Sequence, residues 1–443
     1  MLQKLACQKL PLPHDSPGME LDAKLDLNAV AVDSGETVHL LLDLEAPGLE
    51  GERRRDPANL QVVLDRSASM SDGSLFAALQ AIDSLVGRLA PEDQLGLVCF
   101  DDSVIVPIAA GPVGDGGQIR SALRHIHPGG MTNLSSGLMR GIQEADRASA
   151  DRASTLVLLS DGHANEGVTD HAALEGVAKG AADHQITVST VGIGHGYSED
   201  LLEAISRGGG GNSHFAENGD EAGAHLAGEV EGLLEQVVQA ASLTVKPTGD
   251  VSGIRLYNDL PVSDIKGGFM VELGELVSEE KRRLLFEIDV PDIAALGLAQ
   301  VCEIELRWVE TETMESKVVT IPVNVNVVPG DQAAGRIADP EVSTELSFQQ
   351  SQRDKKAAND AIARGDLAEA RRSWGASGQR LRRLDQRRMS QRERLDVNEE
   401  IEMLSRLAEQ ADMDANIARK MAQADYHRKN RKRGREDRGG GRR

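Results

Sequence analysis

The spacing of apolar and polar positions changes three times along the chain. Residues 18–47 alternate apolar and polar side chains (LDAKLDLNAVAVDSGETVHLLLDLEAP), the period of a strand with one buried face. Asp33-Ser34-Gly35 in the middle reads as the turn of a β-hairpin. GERRRDPAN, from Gly51, reads as a charged linker. From Asn59 to about Ala240 short apolar runs (VVLD, LGLVCF, STLVLLS, ITVSTVGIG) alternate with amphipathic stretches such as LFAALQAIDSLVGRL and LSSGLMRGIQEADRA. Nearly continuous apolar runs are strands buried on both faces. Their alternation with helices predicts an α/β domain, a doubly wound, mostly parallel sheet.

Residues 242–328 return to strand patterning (LTVKP, GIRLYN, FMVELGEL, KRRLLFEIDV, QVCEIELRWVE, SKVVTIPVNVNVV), read as an antiparallel β-sandwich. The amino-terminal hairpin is too small to stand alone. It is expected to complete that sandwich, so that the α/β domain is inserted in a β-domain. From about Pro340 helix formers dominate. DKKAANDAIARGDLAEARRSWGASGQRLRRL predicts two helices with Gly365-Asp366 at the turn, and a longer helical stretch is expected from roughly Gln391 to His427. The expected boundaries are 1–56 for the hairpin, 57–240 for the α/β domain, 241–330 for the β-sandwich, 340–428 for an α-helical C-terminal region and 429–443 for a basic tail.

Composition adjusts this picture in a few places. A chain of 443 residues is expected to hold more than one domain. Aromatics make up 2%, so the core must be built from Leu, Val, Ile and Ala. A net charge of −22 argues against general nucleic-acid binding. The exception is the stretch from His427 to Arg443, with nine Lys/Arg against two Asp/Glu, which reads as a solvated tail open to contact with nucleic acid or an acidic partner. Three scattered cysteines, Cys7, Cys99 and Cys302, form neither a disulfide framework nor a zinc cluster, which fits a reducing cytoplasm. The start, MLQKLACQKLPLPHDS, lacks the apolar run of a signal peptide, and Lys4 disagrees with a lipoprotein box at Cys7. No apolar run approaches the roughly 20 residues of a membrane span.

The chemistry lies in three loops. In an open α/β sheet ligands bind beyond the carboxyl ends of the strands. LQVVLDRSASMSD puts Asp65, Ser67 and Ser69 there; HPGGMTNLSSG brings Thr132, and LLSDGHANEG brings Asp161 directly after a strand. Two carboxylates and three hydroxyls are hard oxygen donors, which select Mg2+, Mn2+ or Ca2+ over zinc or copper. Two carboxylates roughly neutralise a divalent cation and the hydroxyls add no charge. The metal stays electrophilic, and neighbouring helix N-termini also favour an incoming carboxylate. The expected site is a metal-binding turn with one open position.

Asp65-x-Ser67-x-Ser69, Thr132 and Asp161-Gly162 in that order resemble the metal-ion-dependent adhesion site (MIDAS) of von Willebrand factor type A domains. VGIGHGYSEDLLEAISRGGGGNSHFAENGDEAGAHLAGEVEGLL resembles the end of bacterial members, where a strand leads to a helix, a Gly-rich turn and an acidic last helix. The resemblance covers about residues 58–240. The whole layout is similar to inter-α-trypsin-inhibitor heavy chains and bacterial relatives. The resemblance implies that Ser67, Ser69 and Thr132 contact the metal directly, and that Asp65 and Asp161 do so directly or through water. An Asp or Glu of a partner protein would take the open position. It also implies partners such as a MoxR-type AAA+ ATPase, with Arg66, Met131, Asn133 and His163 as candidate partner contacts.

Each feature has a plainer reading. Asp-x-Ser-x-Ser alone occurs as a helix cap. His163 and His195 fit solvated loop positions, and Gly208–Gly211 a flexible turn, since no phosphate-loop pattern is present. The expectation is a metal-dependent protein–protein interaction module and not an enzyme. The alternatives are a metal-dependent hydrolase of the phosphoesterase kind, or a scaffold whose metal only stabilises loops. Against the hydrolase, the motif shows no nucleophile–base pair, no second carboxylate cluster and no Asp-x-Asp nucleophile.

Overall fold

The computed structural model describes residues 19–48, 57–149, 153–161, 164–194, 197–216, 218–249, 251, 253–311 and 313–430. Cys7, the linker from Gly51, His163, His195 and the basic tail from residue 431 lie outside the described residues. The chain divides into two compact units, one spanning 52–235 and the other built from the segments on either side.

The 52–235 unit holds a six-stranded sheet of Asn59–Asp65, Gln94–Phe100, Val104–Pro112, Ser154–Ser160, Ile186–Ile193 and Gly210–Ala216. Counted in chain order within this unit, the strands lie as third, second, first, fourth, fifth, sixth. All neighbours are parallel except the second and third. Every residue of the first and fourth strands is buried, which explains their unbroken apolar runs. Leu60, Val62 and Leu64 pack with the helices Ser74–Val86 and Gly219–Leu234, while Val63 packs with the helix Leu134–Ser149. Gly141 makes that second contact close: a Cβ there would lie 2.2 Å from Val63 Cγ2. The strand order reverses between the first and fourth strands, and that switch point is where such sheets open a crevice beyond their carboxyl ends. Asp65 ends the first strand and Asp161 follows the fourth.

Two strands of this sheet escape the sequence pattern. Val104–Pro112 is an antiparallel edge strand, half-buried and exposed by turns. Gly210–Ala216 forms the other edge, where a flexible turn was expected at the glycines. The glycines serve a close approach instead. A Cβ on Gly209 or Gly211 would meet Val188 atoms at 2.4 or 2.3 Å, and Gly210 has a positive φ of 69°.

The last helix of the unit is pinned to this edge by Glu229. Its carboxylate accepts hydrogen bonds from Ser189 Oγ (2.6 Å), Asn212 Nδ2 (2.5 Å) and His214 Nε2 (2.8 Å). Burial alone would raise its pKa, yet His214, Ser189 and Asn212 hold it down at about 2. Burial and the stacked His214 push His225 below its ordinary value. Both folded pKa values are depressed, so both groups stabilise the fold at neutral pH and lose that contribution as pH falls. We expect amide protection in Gly219–Leu234 to weaken first below pH 6.5, as His225 charges in the unfolded chain, and again between about pH 4 and 2. The Glu229 part is on the order of 3 kcal/mol. Hydrogen exchange across that range measures it, and a pH-independent helix would refute it.

The flanking segments build two sheets. One has four strands in the order Glu20–Leu25, Glu36–Glu45, Lys281–Val290, Gly253–Leu256, all antiparallel. The other runs Val262–Ile265, Gly268–Val277, Gln236–Pro247, Gly297–Glu310, Ser316–Val328, Ala29–Ala31, and only its last pair is parallel. Val38, Leu40, Leu42 and Phe286 of the first sheet share one core with Leu243, Val245, Ile304 and Trp308 of the second. The amino-terminal segment departs from a simple hairpin. Glu20–Leu25 does pair with residues 40–45, but the chain between them first crosses to the other sheet as Ala29–Ala31. Val30, 1% exposed in the shared core, anchors that crossing. The Asp33-Ser34-Gly35 turn therefore joins strands of different sheets, with Asp33 at φ 53°.

Four helices close the described chain: Pro340–Ala363, Leu367–Arg382, Gln391–Met413 and Ala415–Asn430. Asp339 caps the first by accepting from Glu341 and Val342 N–H. Gly365 turns the chain at φ 83°, and Asp366 caps the second helix. The helical stretch expected from Gln391 is built of two helices. Asp414 leaves the helical region (φ −153°) and accepts from Asn416 and Ile417 N–H, so it ends one helix by starting the next. An ionic cluster lies inside these helices. Lys355 Nζ bonds Glu400 and Asp425, while Lys429 Nζ lies 2.9 Å from Glu400 and 3.1 Å from Asp425.

Candidate metal centre

Asp65 turns the chain at the end of its strand. Its Oδ1 accepts the Ser67 N–H at 2.8 Å and its Oδ2 accepts the Ser160 hydroxyl at 2.6 Å. The first bond folds Ser67 and Ser69 back over the strand end. Ser67 Oγ then lies 3.0 Å from Ser69 Oγ, which donates to Asp161 Oδ1 at 2.7 Å. Asp65, Ser67, Ser69 and Asp161, from loops 92 positions apart, are thus joined by one run of hydrogen bonds: the Ser67 N–H to Asp65, the Ser67 hydroxyl to that of Ser69, and the Ser69 hydroxyl to Asp161. Asp65 and Ser67 are buried and form the floor, while Ser69 is exposed. The cluster opens toward solvent on that side.

Thr132 is brought in by its backbone. Gly129 N–H donates to Arg66 O (2.7 Å) and Ala68 N–H to Gly130 O (3.0 Å), which ties the Thr132 loop to the Asp65 turn. Thr132 N–H donates to Asn165 Oδ1 at 2.9 Å, and Thr132 O accepts from Asn165 and Glu166 N–H, which ties it to the Asp161 loop. The side chain is 4% exposed. Two strand-end turns and the loop that leads into Leu134–Ser149 are held together by main-chain bonds and the Asn165 side chain, so they present a prearranged set of oxygens.

The other candidate contacts fall differently. Arg66 points inward: its Nη2 lies 2.8 Å from Asp101 Oδ2, and its side chain is 17% exposed. Asn133 is engaged as the cap of Leu134–Ser149, its Oδ1 accepting the Ser135 hydroxyl and the Ser136 N–H. Met131 is 49% exposed beside Thr132. Three residues with a part here were not singled out from sequence: Ser160, Asp101 and Asn165. Ser160 and Asp101 could have been flagged, since each is a polar residue at the end of an apolar run (STLVLLS, LVCFD). Asn165 carries no local signal.

The donor set suits a hard divalent cation. Among the described residues no three His, Cys, Asp or Glu side chains converge as a metal cluster. This centre is instead two carboxylates with hydroxyl oxygens, donors for Mg2+, Mn2+ or Ca2+. Burial pushes the Asp65 carboxyl above its ordinary value, and the bonds from Ser160 and Ser67 only partly offset this. A nearby cation would reverse that balance, because it favours the ionised form. The Asp101 carboxyl behaves oppositely. Burial would raise it, but Ser103, Gly130 and Arg66 hold it below the usual range.

The von Willebrand factor type A domain model matches residues 59–229, the stretch that carries the sheet and all three loops. Residues 59–229 are a von Willebrand factor type A domain. Domains of this type typically mediate protein interactions, often through a metal-ion-dependent adhesion site. The chain is 29% identical to an uncharacterised protein of Synechocystis sp. over 328 residues, 70% of this chain and 76% of that one. It is 29% identical to inter-α-trypsin inhibitor heavy chain H1 of Sus scrofa over 154 residues, but this match spans only 17% of the heavy chain. A von Willebrand factor type A protein from Catenulispora acidiphila shares the fold over 95% of this chain and 99% of its own, with a TM-score of 0.71 at 14% identity. The ArnB paralog VWA2 from Sulfolobus acidocaldarius covers 93% and 97%, with a TM-score of 0.62 at 15% identity. The type A sheet, the two additional sheets and the helical region thus recur together. No described helix is long and apolar enough to cross a membrane.

Proposed function

We propose that the type A domain binds an acidic side chain of a partner protein through a divalent cation held by Asp65, Ser67, Ser69, Thr132 and Asp161. The observation that carries this is the chain of short contacts from Asp65 to Asp161, closed on one side by buried residues and exposed at Ser69. A cation there would supply a Lewis-acidic position for one more anionic oxygen. Mg2+ is the first choice, with Mn2+ and Ca2+ as substitutes. The N-terminus of Leu134–Ser149 begins two residues after Thr132 and adds partial positive charge. Exposed Met131 stands on the rim for contact with the partner's surface.

The proposal is of a binding module and not an enzyme, acting in the cytoplasm. The buried free thiols of Cys99 and Cys302 support a reducing compartment. An AAA+ ATPase of the MoxR type is the partner class to test first. We expect at least one protein to co-purify with the chain in Mg2+ and to be lost in EDTA. Equal recovery in both would move the docking surface elsewhere, and Mg2+-dependent turnover of a simple phosphoester would restore the hydrolase.

A further inference from the structure

We propose that Asp101 is the positioning residue of the metal centre, holding Thr132 in place for coordination. This deepens the metal reading above and rests on it. Asp101 follows the second strand of the type A sheet and is 3% exposed. Its side chain and its main chain grip the Thr132 loop on opposite sides. Oδ2 accepts the Gly130 N–H at 3.2 Å, and the Asp101 carbonyl accepts the Asn133 N–H at 2.8 Å. Met131 and Thr132 lie between those two anchors. The same Oδ2 pairs with Arg66 Nη2 at 2.8 Å, and Arg66 belongs to the Asp65 turn. One carboxylate therefore adds a side-chain tie between the two hydroxyl-bearing loops, beside the main-chain bonds from Gly129 to Arg66 and from Ala68 to Gly130.

Asp101 is not a further ligand. Its charge is met by the guanidinium, and its Oδ1 accepts both the N–H and the hydroxyl of Ser103 at 2.8 and 2.7 Å. The loop is shaped around it. A Cβ on Gly129 would lie 1.7 Å from Asp101 Oδ2, so a side chain at 129 would displace the carboxylate. Groups that orient ligands without touching the metal commonly change metal affinity by about 10- to 100-fold when removed.

The test is Mn2+ affinity of the full chain, read from the electron paramagnetic resonance signal of free Mn2+, for Asp101→Asn, Thr132→Ala and the double variant. If Asp101 acts through Thr132, Asp101→Asn weakens Mn2+ binding about 10- to 100-fold in the native background. It then adds less than about 2-fold when Thr132 is already alanine, because coupled residues are non-additive. Asp101→Asn also breaks the buried ion pair with Arg66, so its melting temperature in EDTA should fall by the same amount in both backgrounds, while the loss of Mn2+ affinity appears only where Thr132 is present. Gly129→Ala is a second route to the same loss, since it moves the carboxylate without removing it. Equal losses of Mn2+ affinity in both backgrounds, or no loss, would each overturn the positioning role. Failure of the native chain to bind Mn2+ would sink the metal reading itself and the positioning role with it. That result is distinct from native binding left unchanged by Asp101→Asn, which sinks only the positioning role.

Discussion

Asp161→Ala should weaken Mg2+ or Mn2+ binding by roughly 100-fold or more, a larger effect than loss of an outer-shell group. Two carboxylates carry all the negative charge of the candidate set, and this substitution removes half of it. Asp161 is also the cleaner of the two to remove. Asp65 is fully buried and holds both the Ser67 N–H and the Ser160 hydroxyl, so its loss would unfold the turn as well as discharge it. Asp161 is half-buried and accepts the Ser69 hydroxyl from the next loop. Asp161→Asn keeps an acceptor for Ser69 and removes only the charge, so it should lose nearly as much affinity as alanine. Isothermal titration with both variants reads the result. Native-like affinity in Asp161→Asn would mean that the cation, if bound, is not held there.

The largest loss of stability is expected from Lys355→Met in the helical region. Lys355 has no exposure, and its ammonium lies between Glu400 and Asp425, at most 2% exposed. Taking it away leaves two buried carboxylates with one fewer cation beside them. Removing one partner of a buried ion cluster typically costs about 3–5 kcal/mol, because the remaining charge is desolvated without compensation. Asp425→Asn in the same chain should recover much of this by removing the surplus negative charge. Denaturant titration followed by hydrogen exchange in Pro340–Ala363 and Gln391–Met413 would resolve the effect, and a loss below about 1 kcal/mol would contradict it. The pH dependence carries the sign of each group. Burial opposes the charged form of Lys355, but Glu400 and Asp425 outweigh it and raise its pKa, so its contribution is lost only in strong alkali. Burial would raise Glu400, but Lys355 and Lys429 hold it below the usual range, so its contribution fades in acid.

What the sequence made legible follows from how local each signal is. Leu60–Asp65 and Ser154–Ser160 were readable because strands buried on both faces need apolar residues throughout. Val104–Pro112 was not, because an edge strand exposed on one side carries Pro107, Ala109 and Ala110 without alternation. Gly210–Ala216 was hidden for another reason: Gly211 is required by closeness to Val188 and Gly210 by its positive φ, tertiary facts that look like a turn in one dimension. The break at Asp414 was readable in principle, since a lone Asp inside a helical stretch can cap a new helix. In the candidate site Asp65, Ser67, Ser69 and Asp161, which the structure joins, were readable by type and order. Asp101 was readable only as a polar residue ending an apolar run; its role was not, because its partners Arg66, Gly130 and Asn133 come from two distant loops.

The split layout of the β-unit also sets an order of events. Glu36–Glu45 sits between Glu20–Leu25 and Lys281–Val290, with Glu36 opposite Val290 and Glu45 opposite Lys281. On the ribosome this strand emerges early and finds its main partner only after the whole type A domain has been made. Pairing of such separation is intrinsically slow, so the contiguous type A domain is expected to fold first while the amino-terminal strands wait. A fragment beginning at Gln236 would lack an inner strand of its own sheet and expose the edge of Lys281–Val290, a surface prone to pairing with other chains. Anyone cutting this protein into pieces would do better to excise the middle and rejoin the ends than to divide it in two.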